Sequence, residues 1–75
     1  MKVNKTQGVL FIYTILLERK SFTKEEIINY LEINELTFYR YIQELRAFFC
    51  NFNCEQELIY KKSDFKYYLL DMSND

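Results

Sequence analysis

Three side chains that can contact DNA bases recur at three-residue spacing in the middle of the chain: Thr37, Arg40 and Gln43. On a helix, this spacing places them along one side. An arginine can form paired hydrogen bonds with guanine, a glutamine can do the same with adenine, and a threonine can contact a phosphate or the methyl group of thymine. The spacing predicts a helix that contacts base edges in the major groove of duplex DNA.

Basic and polar side chains outside that trio extend the predicted contact surface over the rest of the helix and a later turn. The full set of predicted DNA-binding residues is Thr37, Tyr39, Arg40, Gln43, Arg46, Lys61, Lys62 and Lys66. Structural interpretations compete with this one, because arginines are common on exposed helix faces and lysines on an edge strand discourage aggregation. Glu35 and Glu44 lie near the same face and would repel phosphate.

The remaining reactive side chains form no constellation suited to catalysis or metal binding. The chain has no histidine, which removes the commonest general base and the commonest metal ligand. Its two cysteines, Cys50 and Cys54, cannot supply the four ligands of a structural zinc site. We therefore expect no enzyme activity, catalytic residue, metal, cofactor or small-molecule substrate. The four-residue spacing of Cys50 and Cys54 also fits a redox pair, although cysteines near a helix end are more commonly two small apolar side chains.

Length and composition favour one small domain over residues 1–75, with an ordered core at about 5–71. The chain has 75 residues, 49% of them hydrophobic, with one glycine and no proline, which disfavours turn-rich all-β folds. Its formal net charge is -1, so DNA binding would need a local basic surface. The longest apolar run, Val9 to Leu17, is too short to span a membrane, and no secretory signal is visible. We expect a cytoplasmic protein with reduced cysteines and no membrane contact.

The first predicted helix, from about Thr6 to Lys20, carries more apolar side chains than a surface helix needs. Helical periodicity predicts a core stripe of Val9, Ile12, Tyr13 and Leu16 and places Phe11 on the polar side. The surplus predicts a homodimer interface at Leu10, Phe11 and Ile15. Alternatively, the hairpin or the N-terminal arm covers these residues.

Local signals place the second and third helices. The second helix follows a short link, residues 20–22, which is compatible with an extended conformation. Thr23 and Glu26 form a capping box at its start, and it ends near Leu31. Asn34 is the predicted cap of the third helix. Apolar residues of its core stripe recur every three or four positions up to Phe49. After Phe49, apolar and polar residues alternate, which is typical of a strand.

Two segments near the C-terminus have the composition of a β-hairpin. Residues 57–62 and 66–70 are rich in aromatic and branched side chains, and the link between them lacks glycine, which predicts a turn of more than two residues. The order of elements predicts an α+β fold of the winged helix-turn-helix type, with three helices followed by a hairpin wing. The predicted core of the helices is Ile12, Leu16, Ile27, Leu31, Phe38, Ile42 and Leu45.

The segment 34–46, Asn-Glu-Leu-Thr-Phe-Tyr-Arg-Tyr-Ile-Gln-Glu-Leu-Arg, resembles the recognition helix of the winged-helix domains that open WYL-domain and DeoR-type bacterial regulators. Their pattern is Ser-x-Arg-Thr-Ile-x-Arg-Asp-Ile-x-x-Leu. The chain departs from it at Leu36, where the family has arginine, and at Tyr41, where the family has aspartate. The matching positions are Thr37, Arg40, Ile42 and Leu45, with Phe38 at the position of the first isoleucine.

This resemblance implies a sequence-specific DNA-binding transcriptional regulator, or the DNA-binding domain of one, that acts on double-stranded DNA. We expect it to act as a homodimer, because one recognition helix contacts few base pairs and useful specificity usually needs two half-sites. The alternative is a winged-helix protein–protein interaction module that does not bind DNA. The slightly acidic balance, Leu36 and the surplus of aromatic side chains favour that alternative.

Overall fold

The computed structural model describes residues 3–71, so the ends of the predicted 1–75 domain, residues 1–2 and 72–75, lie outside the described residues. Residues 3–71 form an α+β fold of three helices and a three-stranded antiparallel sheet. The elements are α1 (Lys5–Arg19), β1 (Ser21–Thr23), α2 (Lys24–Leu31), α3 (Glu35–Phe52), β2 (Gln56–Lys61) and β3 (Lys66–Asp71).

Side-chain caps fix the start of each helix. The predicted capping box of Thr23 and Glu26 is confirmed at α2, and Asn34 accepts a hydrogen bond of 2.8 Å from the Thr37 amide at α3. A second capping box, between Asn4 and Gln7, starts α1 one residue before the predicted Thr6. These caps satisfy amides that have no partner within the helix, so the sequence determines where each helix begins.

The predicted end of α3 at Phe49 is wrong by three residues. The helix continues to Phe52, and the Asn53 amide donates a 2.9 Å hydrogen bond to the Phe49 carbonyl. The rings of Phe48 and Phe52, four residues apart, pack with centroids 5.6 Å apart. Alternating apolar residues after position 49 therefore continue a helical stripe and do not begin a strand.

The hairpin of β2 and β3 forms as predicted, and β1 adds a third strand on the other side of β3. Phe22 pairs with Tyr67, and Tyr67 pairs with Tyr60 across the next ladder. Because side chains alternate between the two faces of a strand, Tyr67 and Leu69 face the helices and Tyr68 faces outward. This register was left open by the sequence.

The core lies between the helices and the inner face of the sheet. The seven residues predicted for the shared core of the helices are all buried, as is Phe49 at the end of the predicted α3 stripe, and the sheet and α3 add Phe22, Tyr41, Leu58 and Tyr67. Phe22 stacks on Tyr67 with ring centroids 5.3 Å apart, and both rings meet the buried ring of Phe38 edge-on. This aromatic cluster joins the sheet to the helix that carries the predicted DNA contacts.

The buried stripe of α1 is rotated from its predicted position. It consists of Gly8, Ile12 and Leu16, while the predicted core residues Val9 and Tyr13 are only half-buried. Gly8 allows the close approach of the Tyr41 ring, since a Cβ atom there would lie only 2.9 Å from Cδ2 and Cζ. Because Gly8 has no side chain, apolar periodicity does not show that its side of the helix packs against the core.

Candidate nucleic-acid interface

The face of α3 that points away from the core carries the three side chains first singled out for base contact. Arg40 and Gln43 are exposed, and Thr37, in the first turn, is half-buried. The core stripe on the opposite side of α3 fixes this orientation, because Phe38, Ile42 and Leu45 are buried. Leu36 lies on the same outward face and is exposed.

A groove with a volume of about 770 Å³ runs between α3 and the sheet. Three of the predicted contacts, Tyr39, Gln43 and Arg46, lie along its helix side. Tyr60 and Phe65 line its sheet side. Neither aromatic residue was predicted from the sequence as a contact. Tyr60 lies beside the groove because it pairs with the buried Tyr67, and this pairing depends on the hairpin register that the sequence left open.

A small polar cluster fixes the helix side of the groove near the start of α3. The ammonium group of Lys24 contacts the carboxylate of Glu35 and donates a 3.3 Å hydrogen bond to the Tyr39 hydroxyl. That hydroxyl donates to Glu35 over 3.4 Å. The hydrogen bond to Glu35 raises the pKa of Lys24 and lowers that of Glu35. The Tyr39 ring is thereby held at the groove edge with its hydroxyl already hydrogen-bonded.

Both carboxylates that were expected to repel phosphate are in ion pairs. Glu35 pairs with Lys24 from α2, and Glu44 pairs with Lys5 from α1 across 3.5 Å. Among residues 3–71, the ion pairs use Lys5, Arg19 and Lys24 as their cations. Arg40 and Arg46 therefore keep their charges available for a ligand.

The hairpin lysines are divided between the turn and the outer face of the sheet. Lys61 and Lys66 face each other across the β2–β3 ladder, and Lys61 lies over the Tyr68 ring at 5.3 Å from its centroid. Tyr68 belongs to the face opposite Tyr67, so these two lysines point away from the groove. Lys62 lies in the turn itself. The structure thus brings Tyr39, Gln43 and Arg46 together and separates Lys61 and Lys66 from them.

The turn between β2 and β3 covers residues 62–65, as expected for a link without glycine. The Asp64 amide donates to the Lys61 carbonyl over 3.2 Å, and the Tyr68 hydroxyl donates to the Asp64 carboxylate over 2.7 Å. The hydrogen bond to Asp64 raises the pKa of Tyr68. Phe65 ends the turn with a φ of 57°. The tip of the hairpin is therefore a hydrogen-bonded turn with an exposed ring at Phe65, which directly precedes Lys66 and follows Lys62 by three positions.

The three residues predicted for a dimer interface lie on two different sides of α1. Phe11 and Ile15 are half-buried and pack against the core, and the Phe11 ring stacks on Tyr30 of α2 at 4.9 Å. The placement of Phe11 on the polar side of α1 is therefore wrong, and α2 covers it. Leu10 is exposed on the α3 side, where it lines a cavity of about 280 Å³ with Phe48.

The cysteines lie where α3 ends. Both are free and exposed, and the Cys54 thiol donates to the Cys50 carbonyl over 3.1 Å. Within residues 3–71, no group of three or more histidine, cysteine, aspartate or glutamate side chains is arranged to hold a metal ion. No helix in this part of the chain is both long enough and apolar enough to cross a bilayer.

Comparison of the chain with protein-family models, with curated proteins and with solved structures gives no match.

Proposed function

We propose that this chain is a sequence-specific DNA-binding transcriptional regulator, or the DNA-binding domain of one, with a winged helix-turn-helix arrangement. In this proposal α2 and α3 form the helix-turn-helix, and the β2–β3 hairpin is the wing. The observation that carries it is the outward face of α3, where Arg40 and Gln43 are exposed and Arg40 has no ion-pair partner among the described residues. An exposed helix face of this kind fits the major groove.

The groove beside α3 supports the proposal because it suits a phosphate backbone. When a helix lies in the major groove, the adjacent DNA strand passes along the side of that helix. Here that position is lined by the Arg46 guanidinium and by two tyrosines, Tyr39 and Tyr60. The Arg46 guanidinium and the Tyr60 hydroxyl can donate hydrogen bonds to a phosphate, whereas the Tyr39 hydroxyl already donates its proton to Glu35 and offers its ring as a wall of the groove. Phosphate contacts of this kind fix the register of the protein on the duplex.

Glu25 also lines the groove and opposes a phosphate there, but the two carboxylates near the outward face of α3 are in ion pairs. The pairing of Glu35 and Glu44 with lysines reduces their repulsion of phosphate. Lys62 at the hairpin tip is the lysine we assign to the backbone on the far side of the groove. Lys61 and Lys66 face outward from the sheet, so we assign them only a longer-range attraction.

A binding selection with random duplex DNA at a stated salt concentration tests the proposal. On the selected site, Arg40→Ala is expected to cost about 1–3 kcal/mol and to relax the preference at one position. Arg19→Ala is the matched control, because it removes the same charge from α1, where Arg19 is paired with Glu26. No selected sequence, or equal losses for Arg40→Ala and Arg19→Ala, would refute the assignment of α3 as the recognition helix.

We further propose that the regulator binds as a homodimer through the side of α1 next to α3. Leu10, Phe48 and Phe52 are exposed there, and a Lys5–Glu44 pair at the edge offers both charges to a second copy. A two-fold contact would cover this apolar surface and present two recognition helices. Leu10→Glu is expected to give monomers in analytical ultracentrifugation, and Leu36→Glu, a leucine of matched exposure on α3, is expected to leave the dimer intact. A wild-type monomer at high micromolar concentration would refute the dimer.

The second candidate function is a winged-helix module that binds another protein and no DNA. The observation that favours it is the same exposed aromatic surface, since Phe52 alone leaves 74% of its surface in solvent. The DNA selection separates the two candidates, because this module would yield no enriched duplex.

A further inference from the structure

Phe65 combines two features that are unfavourable in the isolated protein. Its φ of 57° belongs to the left-handed region, which is uncommon for residues with bulky side chains. Its side chain is 67% exposed, so little packing compensates for that conformation. Glycine, asparagine or aspartate would adopt this turn position with less strain. The exposed ring is therefore available to a ligand, and backbone strain of this kind concentrates at functional sites.

The surroundings of Phe65 indicate a polyanionic ligand with an apolar interior. Lys62 and Lys66 are exposed close to it in sequence, and Lys61 pairs with Lys66 at the base of the turn. On its other side, Phe65 lines the groove between α3 and the sheet, together with Tyr60. An exposed ring that lines the groove, in the turn that also carries Lys62, is suited to duplex DNA, where phosphates surround stacked bases. Lys61 and Lys66, on the outer face of the sheet, add a longer-range attraction.

The position of the ring specifies which part of the duplex it would meet. With α3 in the major groove, the phosphodiester strand occupies the groove beside the helix, and the minor groove follows on the far side of that strand. Phe65 lies on that far side, at the hairpin tip. Apolar side chains that enter the minor groove separate neighbouring base pairs and kink the duplex.

We propose that Phe65 is a wedge that inserts between two base pairs from the minor groove and bends the DNA. This inference rests on the proposed function and adds a second determinant of sequence preference. Pyrimidine–purine steps such as TA and CA unstack most easily, so the wedge favours sites that place one of these steps under the hairpin. That preference requires no hydrogen bond to a base.

Fluorescence energy transfer between the two ends of a selected duplex measures the bend, and titration of the same duplex measures affinity. The wild-type protein is expected to bend the DNA by about 20–90°. Phe65→Gly accepts the positive φ without strain but has no ring, so we expect a straight duplex and a loss of affinity of about tenfold. Phe65→Leu keeps an apolar wedge and is expected to keep the bend.

Tyr30→Ala is the matched control, because Tyr30 is also an exposed aromatic residue but stacks on Phe11 of α1, away from the groove and the hairpin, so its loss is expected to leave bend and affinity unchanged. A straight duplex with bound wild-type protein, or an unchanged bend with Phe65→Gly, would overturn the wedge while the proposed function stands. Failure of the wild-type protein to bind any duplex would overturn both. Melting temperatures of the variants check that each one folds.

Discussion

The contact between Gly8 and Tyr41 makes a prediction whose sign opposes the usual effect of the substitution. Replacement of glycine by alanine within a helix normally stabilises a protein by about 1 kcal/mol, because alanine has the higher helix propensity, and Gly8 lies in the first turn of α1. Here the new Cβ atom would lie 2.9 Å from Cδ2 and Cζ of Tyr41 and closer still to Cε2. Tyr41 is buried, so its ring cannot rotate into solvent to relieve the overlap.

The magnitude follows from two opposing effects. Overpacking a well-filled core costs about 1–3 kcal/mol, and a collision with the body of a buried ring belongs at the upper end of that range. Subtracting the gain of about 1 kcal/mol in helix propensity leaves a net destabilisation of about 2 kcal/mol. For a domain of this size, each kcal/mol shifts the melting temperature by about 4–8 °C, so we expect a decrease of about 10 °C.

Thermal and urea unfolding followed by circular dichroism measure the effect. Thr14→Ala, at an exposed position of the same helix, is the control for propensity and is expected to be neutral or slightly stabilising. In a double-mutant cycle with Tyr41→Leu, which removes the ring, the cost of Gly8→Ala is expected to shrink. A melting temperature for Gly8→Ala equal to or above that of the wild type would refute the packing argument.

Three other predictions address the core, the hairpin and the helix caps. Phe38→Ala is expected to cost about 3–5 kcal/mol in urea unfolding, because it empties the centre of the aromatic cluster. Lys62→Ala is expected to weaken binding to all DNA sequences alike and to lower the slope of log affinity against log salt by about one unit. Hydrogen bonds from the Thr23 amide and from Arg19 lower the pKa of Glu26, so its contribution to stability is present above the ordinary glutamate pKa and is lost as the pH falls through the lowered one. Acid titration of Glu26→Gln by circular dichroism is expected to show a flatter decline below about pH 4.5 than that of the wild type.

The parts of the fold that depend on neighbouring residues were predictable. The caps at Thr23 and Asn34 act within one helical turn, and the core stripe of α3 is a simple repeat. The rotation of α1 was not predictable from apolar periodicity, because it depends on how Gly8 meets Tyr41, 33 positions along the chain. The pairing of β1 with β3 joins distant segments in the same way.

The candidate interface was predictable on the helix and less so on the hairpin. Arg40 and Gln43 were predictable as exposed residues, because the apolar stripe of α3 faces the core and the side chains on the opposite side of the helix therefore face solvent. Lysines close in sequence to a turn can lie on either face of a sheet, and only the register shows that Lys61 and Lys66 point away from the groove. Phe65 falls in the predicted link between the two strands, and only the folded hairpin shows that its ring lines the groove.

The order of the strands has a consequence for how the chain reaches its folded state. The sheet runs β1–β3–β2, so the last strand in sequence is the central one and supplies the hydrogen-bond partners of both edges. During synthesis on the ribosome, the helices can form early from local contacts, but the apolar side of Phe22 stays uncovered until Tyr67 has emerged. A chain stopped before residue 66 would expose an unpaired β1 and β2 together with that aromatic surface, which is the combination that promotes aggregation. Completion of β3 is therefore the step that pairs both other strands and buries the aromatic surface of the aggregation-prone nascent chain.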